Sequence, residues 1–369
     1  LGKLVFLYTT HGATPFPGST WNNSAPSDDP YTRLIATEGY FFLIKELLRQ
    51  KIISEALLVV ESSRSPGYFE QGGIKGYAVP HIADIDPFVN PDDIIWARGG
   101  FRSWHDYMID LQERGHWLMF YAANTGRERW TFWDIILDDL TTTFRYDRHN
   151  RFWVPFIKPM NEDIFYPKNI DKKWDICIGA SHIHDKKGQY RVFKALDYLH
   201  KKTGRTFKCV LPGSLRGGAY TRRWLTPEVF KRLNIEFIGM VPREQLTDVF
   251  NQSHLFCYMG TGGQGDRGPL EAMACGTPLL IGETKRLAPS AYNNSFTNCV
   301  YDYDNPKKVA SAIEETLSFV SKRTDIKKKV HEYYIAANGL QKAVDCISPY
   351  IRFMQENPRQ NKYLLKVVP

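Results

Sequence analysis

The spacing of short apolar runs constrains what this chain can fold into more than any other feature. Leu4 to Tyr8, Ala56 to Val60, Ile94 to Ala97, Trp117 to Tyr121 and Ile135 to Leu137 are strand-sized, and helical stretches such as Tyr31 to Gln50 and Phe101 to Arg114 separate them. A strand covered on both faces reads as an unbroken apolar run, so this alternation predicts a mainly parallel sheet flanked by helices. A second set follows: Ile176 to Gly179, Phe207 to Leu211, Ile235 to Gly239, His254 to Met259, Leu279 to Ile281 and Cys299 to Tyr301. Helices are predicted between them at Tyr190 to Lys202, Arg243 to Gln252, Pro269 to Cys275 and Pro306 to Val320. The expectation is an α/β chain of two doubly wound, Rossmann-like domains, and 369 residues are enough for two cores. The boundary is expected near Pro167 to Lys173, giving domains 1–170 and 171–338 and a tail, 339–369, whose helix from Leu340 to Met354 crosses back to the first domain. Doubly wound sheets bind ligands at the carboxyl ends of their strands, so two facing sheets predict a substrate cleft between them.

Composition narrows the partners. The hydrophobic fraction is 43%, and no apolar run approaches the roughly 20 residues that span a bilayer. The leading LGKLVFLYTT reads as a buried strand and not as a signal peptide. Six cysteines at 177, 209, 257, 275, 299 and 346 lack metal-type spacing and read as reduced core thiols of a cytoplasmic protein. The net charge of +8 suits a nucleotide donor, a membrane surface or nucleic acid. Its spread along the chain, with no basic helix or base-stacking strand, argues against nucleic acid and leaves peripheral membrane contact open. The densest run, Lys327 to Lys329, reads as a solvated helix face. Asp84 with Asp86, and Asp302 with Asp304, read as surface turns, so no metal or other cofactor is expected.

The strongest chemical signal is GTGGQGDRGPLEAMACGTP, Gly260 to Pro278, where a glycine-dense loop runs into a short helix. Glycines at 262, 263, 265 and 268 let backbone amides approach a ligand. Pro269 suits the first helical position, with Glu271 in the first turn and Gly276 and Pro278 closing the helix. Loop amides and the positive end of the helix dipole together make a seat for phosphate. The same residues also suit an ordinary helix start with Glu271 complementing the dipole.

The tail LEAMACGTP resembles the donor-site signature of the GT-B glycosyltransferases, specifically the large retaining family marked by Glu, seven residues, Glu. The resemblance implies that Glu271 binds the ribose of a nucleotide-sugar. Gly263 stands where the first glutamate belongs, and Gln264 or Asp266 is a substitute polar group near the sugar. Gly265, Gly268, Pro269 and Leu270 complete this donor segment, and Arg267 reads equally as a phosphate clamp or a surface arginine. Three further segments resemble the family in order. In ICIGASHIHDKKGQYRVFKAL, Lys187 matches the lysine that binds the donor diphosphate; Ala180 replaces an expected arginine, and Ser181, His182, Lys186 or Arg191 lies nearby to supply contacts or charge. In KCVLPGSLRGG, Gly213 matches the glycine near the nucleotide, and in NIEFIGMVPREQL the resemblance assigns Met240, Val241 and Arg243 to the base. The triplet Phe165, Tyr166, Pro167 is similar to the one that leads out of the family's first domain.

The first half resembles the family only in outline. Gly12 is a donor or acceptor contact by position, in a loop of about 20 residues long enough to suspect function. Arg98 stands where many relatives carry a histidine, and reads either as a ligand for phosphate or an acidic acceptor or as a structural arginine. Among the aromatic residues Trp104, Arg127, Arg129 and Trp130 are the acceptor candidates. What the resemblance implies is transfer of a sugar from a nucleotide-diphosphate-sugar to a glycan or small hydroxyl acceptor, with retention and without metal. A sugar-nucleotide epimerase and a non-catalytic binding protein of the same architecture are the rival readings.

Overall fold

The computed structural model describes residues 2–9, 39–61, 66–98, 104–121, 130–138, 151–156, 159–179, 182–215, 219–260, 267–282 and 294–360. Its contacts divide the chain into two units: one takes in the chain up to Pro159 and then Leu340 onward, and the other is essentially Met160–Gly339.

The first unit is built on eight strands: β1 Leu4–Thr9, β2 Ala56–Glu61, β3 Gly67–Gln71, β4 Ile74–Val79, β5 Ile94–Arg98, β6 Trp117–Tyr121, β7 Ile135–Asp138 and β8 Phe152–Pro155. Their order is β3-β4-β2-β1-β5-β6-β7-β8, and all neighbours are parallel except β3 with β4. Alternation along β1 assigns the two layers. Leu4, Phe6 and Tyr8 face the helices Gly39–Arg49 and Leu340–Glu356, whereas Val5 and Leu7 face the 3-10 turn Ile82–Phe88 and the helix His105–Glu113. The C-terminal helix therefore supplies part of this core through Val344, Ile347 and Ile351. The residues after it hold the same unit: Trp117 Nε1 donates to the Asn357 carbonyl at 3.0 Å, and Arg359 donates from Nε and Nη2 to the buried Asp134 carboxylate at 2.9 and 2.7 Å.

The second unit carries β9 Trp174–Ile178, β10 His182–Ile183, β11 Cys209–Pro212, β12 Ser214–Leu215, β13 Ile235–Gly239, β14 Ser253–Tyr258, β15 Leu279–Gly282 and β16 Thr297–Val300. Six of them form an all-parallel sheet in the order β13-β11-β9-β14-β15-β16, and β10 pairs with β12 as a separate two-stranded ribbon. The helices Gln189–Thr203 and Pro306–Ser321 pack on one face through Val192, Phe193, Leu196, Val309 and Ile313. The helix Arg243–Asn251 sets Phe250 edge-on against Phe256 of β14 at 5.5 Å.

Several expectations change. The domain division falls at Pro159/Met160 and not near 170, because the Phe165 to Pro167 segment packs with the second unit: Asn251 Nδ2 donates to the Tyr166 carbonyl at 3.0 Å, Lys168 N donates to Asn251 Oδ1 at 2.7 Å, and Phe165 is buried near Phe250. The β3–β4 hairpin and the β10–β12 ribbon carry too little apolar periodicity to show in the sequence, and β8 is a four-residue strand that ends at a proline. Lys327 to Lys329 lie on a helix, Ile326–Asn338, in which Lys328 and Lys329 pair with Glu332 and Asp325 and Lys327 reaches the Lys168 carbonyl. Asp302 pairs with Lys308, Asp84 caps the His81 turn, and Asp86 binds Tyr107 and Arg114. All six cysteines are unpaired thiols, and no helix of the described residues is long and apolar enough to cross a membrane.

Ile347→Ala removes a fully buried side chain from the first unit. A loss of about 2–5 kcal/mol in that unit's unfolding free energy is expected, read by urea denaturation with tryptophan fluorescence.

Candidate functional site

Numbering the six parallel strands of the second unit along the chain gives the order 3-2-1-4-5-6, which reverses direction between β9 and β14. A crevice opens outside the carboxyl ends of the strands at such a reversal, because the connections on its two sides leave in opposite directions. The residues following β9 and β14 are those the sequence singles out.

After β9 the chain turns at Gly179, whose amide donates to the Cys257 carbonyl at 2.8 Å, and then pairs as β10 with β12. His184 caps a 3-10 turn, Asp185–Lys187, by accepting the Lys186 amide on Nδ1 at 3.2 Å. Asp185 binds across to the Ala219–Arg222 turn, accepting from Thr221 N at 2.7 Å, Thr221 Oγ1 at 2.5 Å and Tyr220 N at 3.3 Å. Burial works to raise the Asp185 pKa, but these hydrogen bonds outweigh it and hold the carboxyl below its ordinary value. Lys187 is half-buried, and Gly188 follows with φ of 72°. A Cβ at Gly188 would lie 1.9 Å from the Met259 carbonyl oxygen, so only glycine lets this turn press against the end of β14. The Lys187–Gly188 turn and the start of the glycine-rich segment are thus in backbone contact.

Beyond β14, Gly260 passes over the Tyr258 hydroxyl with no room for a side chain, since a Cβ would meet that oxygen at 2.2 Å. The helix resumes at Arg267 and runs to Ala274. Arg267 therefore opens the helix and does not lie in the loop, Gly268 and Pro269 are its second and third residues, and Glu271 is the fifth, beyond the first turn. Pro269 is tolerated there because the first four helical amides have no intrahelical partner. The helix ends in a Schellman turn, Gly276 N donating to the Met273 carbonyl at 2.8 Å and Thr277 N to the Ala272 carbonyl at 2.9 Å.

Glu271 is only 5% exposed, and Arg243, the first residue of its own helix, donates from Nη1 to Glu271 Oε1 at 3.1 Å. Two residues that the sequence assigns to ribose and base are therefore one ion pair. Met240 and Val241 are half-buried beside it in sequence, and Gly213 donates its amide to the Gly239 carbonyl at 2.7 Å, tying the ends of β11 and β13. Pro269 and Leu270 are buried. Ser181, Gly263, Gln264, Gly265 and Asp266 lie outside the described residues, as do Gly12, Arg127 and Arg129, and for His182 the backbone pairing alone is described.

Two candidates from the sequence have other roles. Arg191 does not stand in as an exposed charge: it is buried, donating to the Met259 carbonyl and to Asp304. Trp104 is fully buried in the first unit's core and donates to Glu61, so it is no acceptor platform. Arg98 ends β5 with its guanidinium 4.9 Å from the Tyr8 ring centroid, at the carboxyl ends of the two central strands of its sheet. Trp130 is half-buried and stacks near Trp133. The Asp185–Thr221 clasp and the Arg191–Asp304 pair were not visible in the sequence, since each joins residues remote along the chain. Among the described residues no group of His, Cys, Asp and Glu is arranged to hold a metal ion.

Residues 160–333 match the family described as glycosyl transferases group 1. The chain has the GT-B fold, and its second unit carries a glycosyl transferases group 1 domain. Solved structures agree on the fold at low identity. A sucrose-phosphate synthase from Thermosynechococcus elongatus has a TM-score of 0.65 at 13% identity, covering 95% of this chain and 99% of that one. A glycosyltransferase from Rickettsia africae ESF-5 gives 0.65 and 13%, covering 97% and 100%. An E. coli structure described as trehalose-6-phosphate bound with UDP-2-fluoro glucose gives 0.61 and 13%, covering 96% and 100%. The comparison with curated proteins found no match.

Two measurements check this local architecture. Arg243→Met withdraws the guanidinium from a buried carboxylate and is expected to cost about 3 kcal/mol of second-unit stability by urea denaturation. Because the Asp185 pKa is depressed on folding, its stabilising contribution is complete above the unfolded value and disappears as pH falls through the folded one. Asp185→Asn is therefore expected to destabilise the protein at neutral pH and to flatten the loss of stability below the ordinary carboxyl value of 3.8, read from thermal midpoints across acid pH.

Proposed function

We propose that this glycosyltransferase moves a sugar from a nucleoside diphosphate sugar to a hydroxyl of a glycan or small acceptor, with the donor bound by the second unit and the acceptor by the first. The observation that carries the reading is the meeting of the Lys187–Gly188 turn with the Met259–Gly260 peptide at the point where the strand order reverses. That contact joins the turn that carries Lys187 to Gly260, from which the chain leads on to the Arg267–Ala274 helix. Negative charge grows on the departing diphosphate as the bond to the anomeric carbon breaks, and groups of this kind stabilise it without reorganising. Lys187 supplies a point charge and Arg267 a second cation, while backbone amides donate to the remaining oxygens. These donors can neutralise a diphosphate by themselves, which supports a metal-independent reaction.

Glu271 reads the ribose hydroxyls, with Arg243 fixing one of its oxygens, and Met240 and Val241 flank the base. The donor class draws support from the family match and from the uridine diphosphate sugar in one of the similar structures. Retention rests on the resemblance to the retaining family: the acceptor oxygen attacks from the face the diphosphate leaves, and its proton passes to a departing phosphate oxygen. In the first unit, Arg98 is assigned to a phosphate or acidic group of the acceptor, and Gly12 to the same region by position. A cytoplasmic setting fits the unpaired thiols.

Titration with uridine, guanosine and adenosine diphosphates and their sugars should register binding for at least one base, and acceptor-dependent release of nucleotide should follow. Glu271→Ala is expected to weaken nucleotide binding about ten-fold or more through loss of charged hydrogen bonds. Lys187→Ala is expected to lower kcat by about a hundred-fold, the scale of one lost donor to a developing anion. No heat from folded protein with the whole panel would overturn the reading.

A further inference from the structure

Arg191 stands one turn after Gly188 in the helix Gln189–Thr203, and its side chain is 9% exposed. Nη1 donates to the Met259 carbonyl at 3.1 Å, and Nε donates to Asp304 Oδ1 at 2.6 Å. The guanidinium carbon lies 4.7 Å from the Tyr190 ring centroid and 4.8 Å from that of Tyr303. Its charge is thus shielded by two aromatic faces, neutralised by one carboxylate and spent on one carbonyl. That carbonyl belongs to the peptide against which Gly188 is pressed. Asp304 comes from the turn after β16, on the far edge of the sheet, and its carboxylate is 67% exposed. Tyr303 of the same turn packs over Gly282 at the end of β15, where a Cβ would meet its ring at 2.9 Å. A single buried cation therefore links the turn that carries Lys187, the start of the glycine-rich segment and the turn after β16.

We infer that Arg191 is a positioning residue for glycosyl transfer: held by Asp304, it fixes the Met259–Gly260 peptide relative to Lys187, and so sets the anion seat without itself touching the donor. An arginine is suited to this because its planar fork serves two acceptors in fixed directions while its faces stack, which a lysine ammonium does not reproduce. The link is remote, since Asp304 influences the seat only through Arg191. The inference rests on the donor reading for its effect on binding, but the mechanical coupling does not.

Three variants, Arg191→Met, Arg191→Lys and Asp304→Asn, together with the Arg191→Met, Asp304→Asn double variant, test it. Hydrogen exchange at the Met259 and Gly260 amides is followed without ligand, and binding of uridine diphosphate and guanosine diphosphate is followed by calorimetry. Arg191→Met and Asp304→Asn are each expected to speed exchange at those amides. Each should also weaken whichever diphosphate the wild type binds on the order of ten-fold, as small misplacements of binding groups do. The double variant should be no worse than Arg191→Met, and Arg191→Lys should recover part of the loss. If Arg191→Met weakens binding while Asp304→Asn changes neither exchange nor affinity, Arg191 contacts the ligand itself and the positioning role is wrong. If both variants lower only the thermal midpoint, with exchange and affinity at wild-type values, the pair merely supports the fold and the inference is equally overturned. Should the wild type bind neither diphosphate, the donor reading is what suffers, and exchange at Met259 and Gly260 alone decides the coupling.

Discussion

Everything at the candidate site depends on a parallel sheet reversing its strand order between β9 and β14. A parallel sheet buries both faces under helices, so every connection must leave from the same edge, and the chain ends of adjacent strands gather there. At the reversal the helices depart to opposite sides, and polar backbone is left with space in front of it. The side chains then refine a location that topology has already chosen. The sheet delivers the segments that carry Lys187, Arg243 and Glu271 to one rim.

The rim is unusually crowded with backbone. Gly188 meets the Met259–Gly260 peptide, Gly213 meets Gly239, and β10 pairs with β12, so the segments that follow β9, β11, β13 and β14 are tied to one another before any ligand arrives. Such preorganisation matters most where charge develops during a reaction, since donors already in place need not be reoriented. The Arg243–Glu271 pair acts in the same sense on a side chain, fixing a buried carboxylate through a hydrogen bond to one of its oxygens.

The legibility of these features in the sequence follows from their range. Strands such as Trp117–Tyr121 and Leu279–Gly282 announce themselves by unbroken hydrophobicity, and the Lys187–Gly188 and Gly260–Gly268 segments by composition. The glycosyltransferase resemblance placed them in order. Less visible was the edge hairpin of β3 and β4, where one face is exposed and the apolar run is broken. The start of the helix at Arg267 is hidden as well, because glycine and proline in a first turn read as loop. Least visible were Asp185 with Thr221 and Arg191 with Asp304, pairs that only the folded sheet brings together. A charged residue in an amphipathic helix looks like surface until the chain that covers it is known, and Arg191 illustrates the point.

The first unit is assembled from two stretches of chain separated by the whole of the second. During synthesis, the helix bearing Ile347 leaves the ribosome only after Gly339, when the intervening module has already been made. The second unit can thus close on itself while translation continues, whereas the first waits with the apolar face of the helix Gly39–Arg49 partly uncovered. The order in which the two cores can close is thus written into the chain's own connectivity.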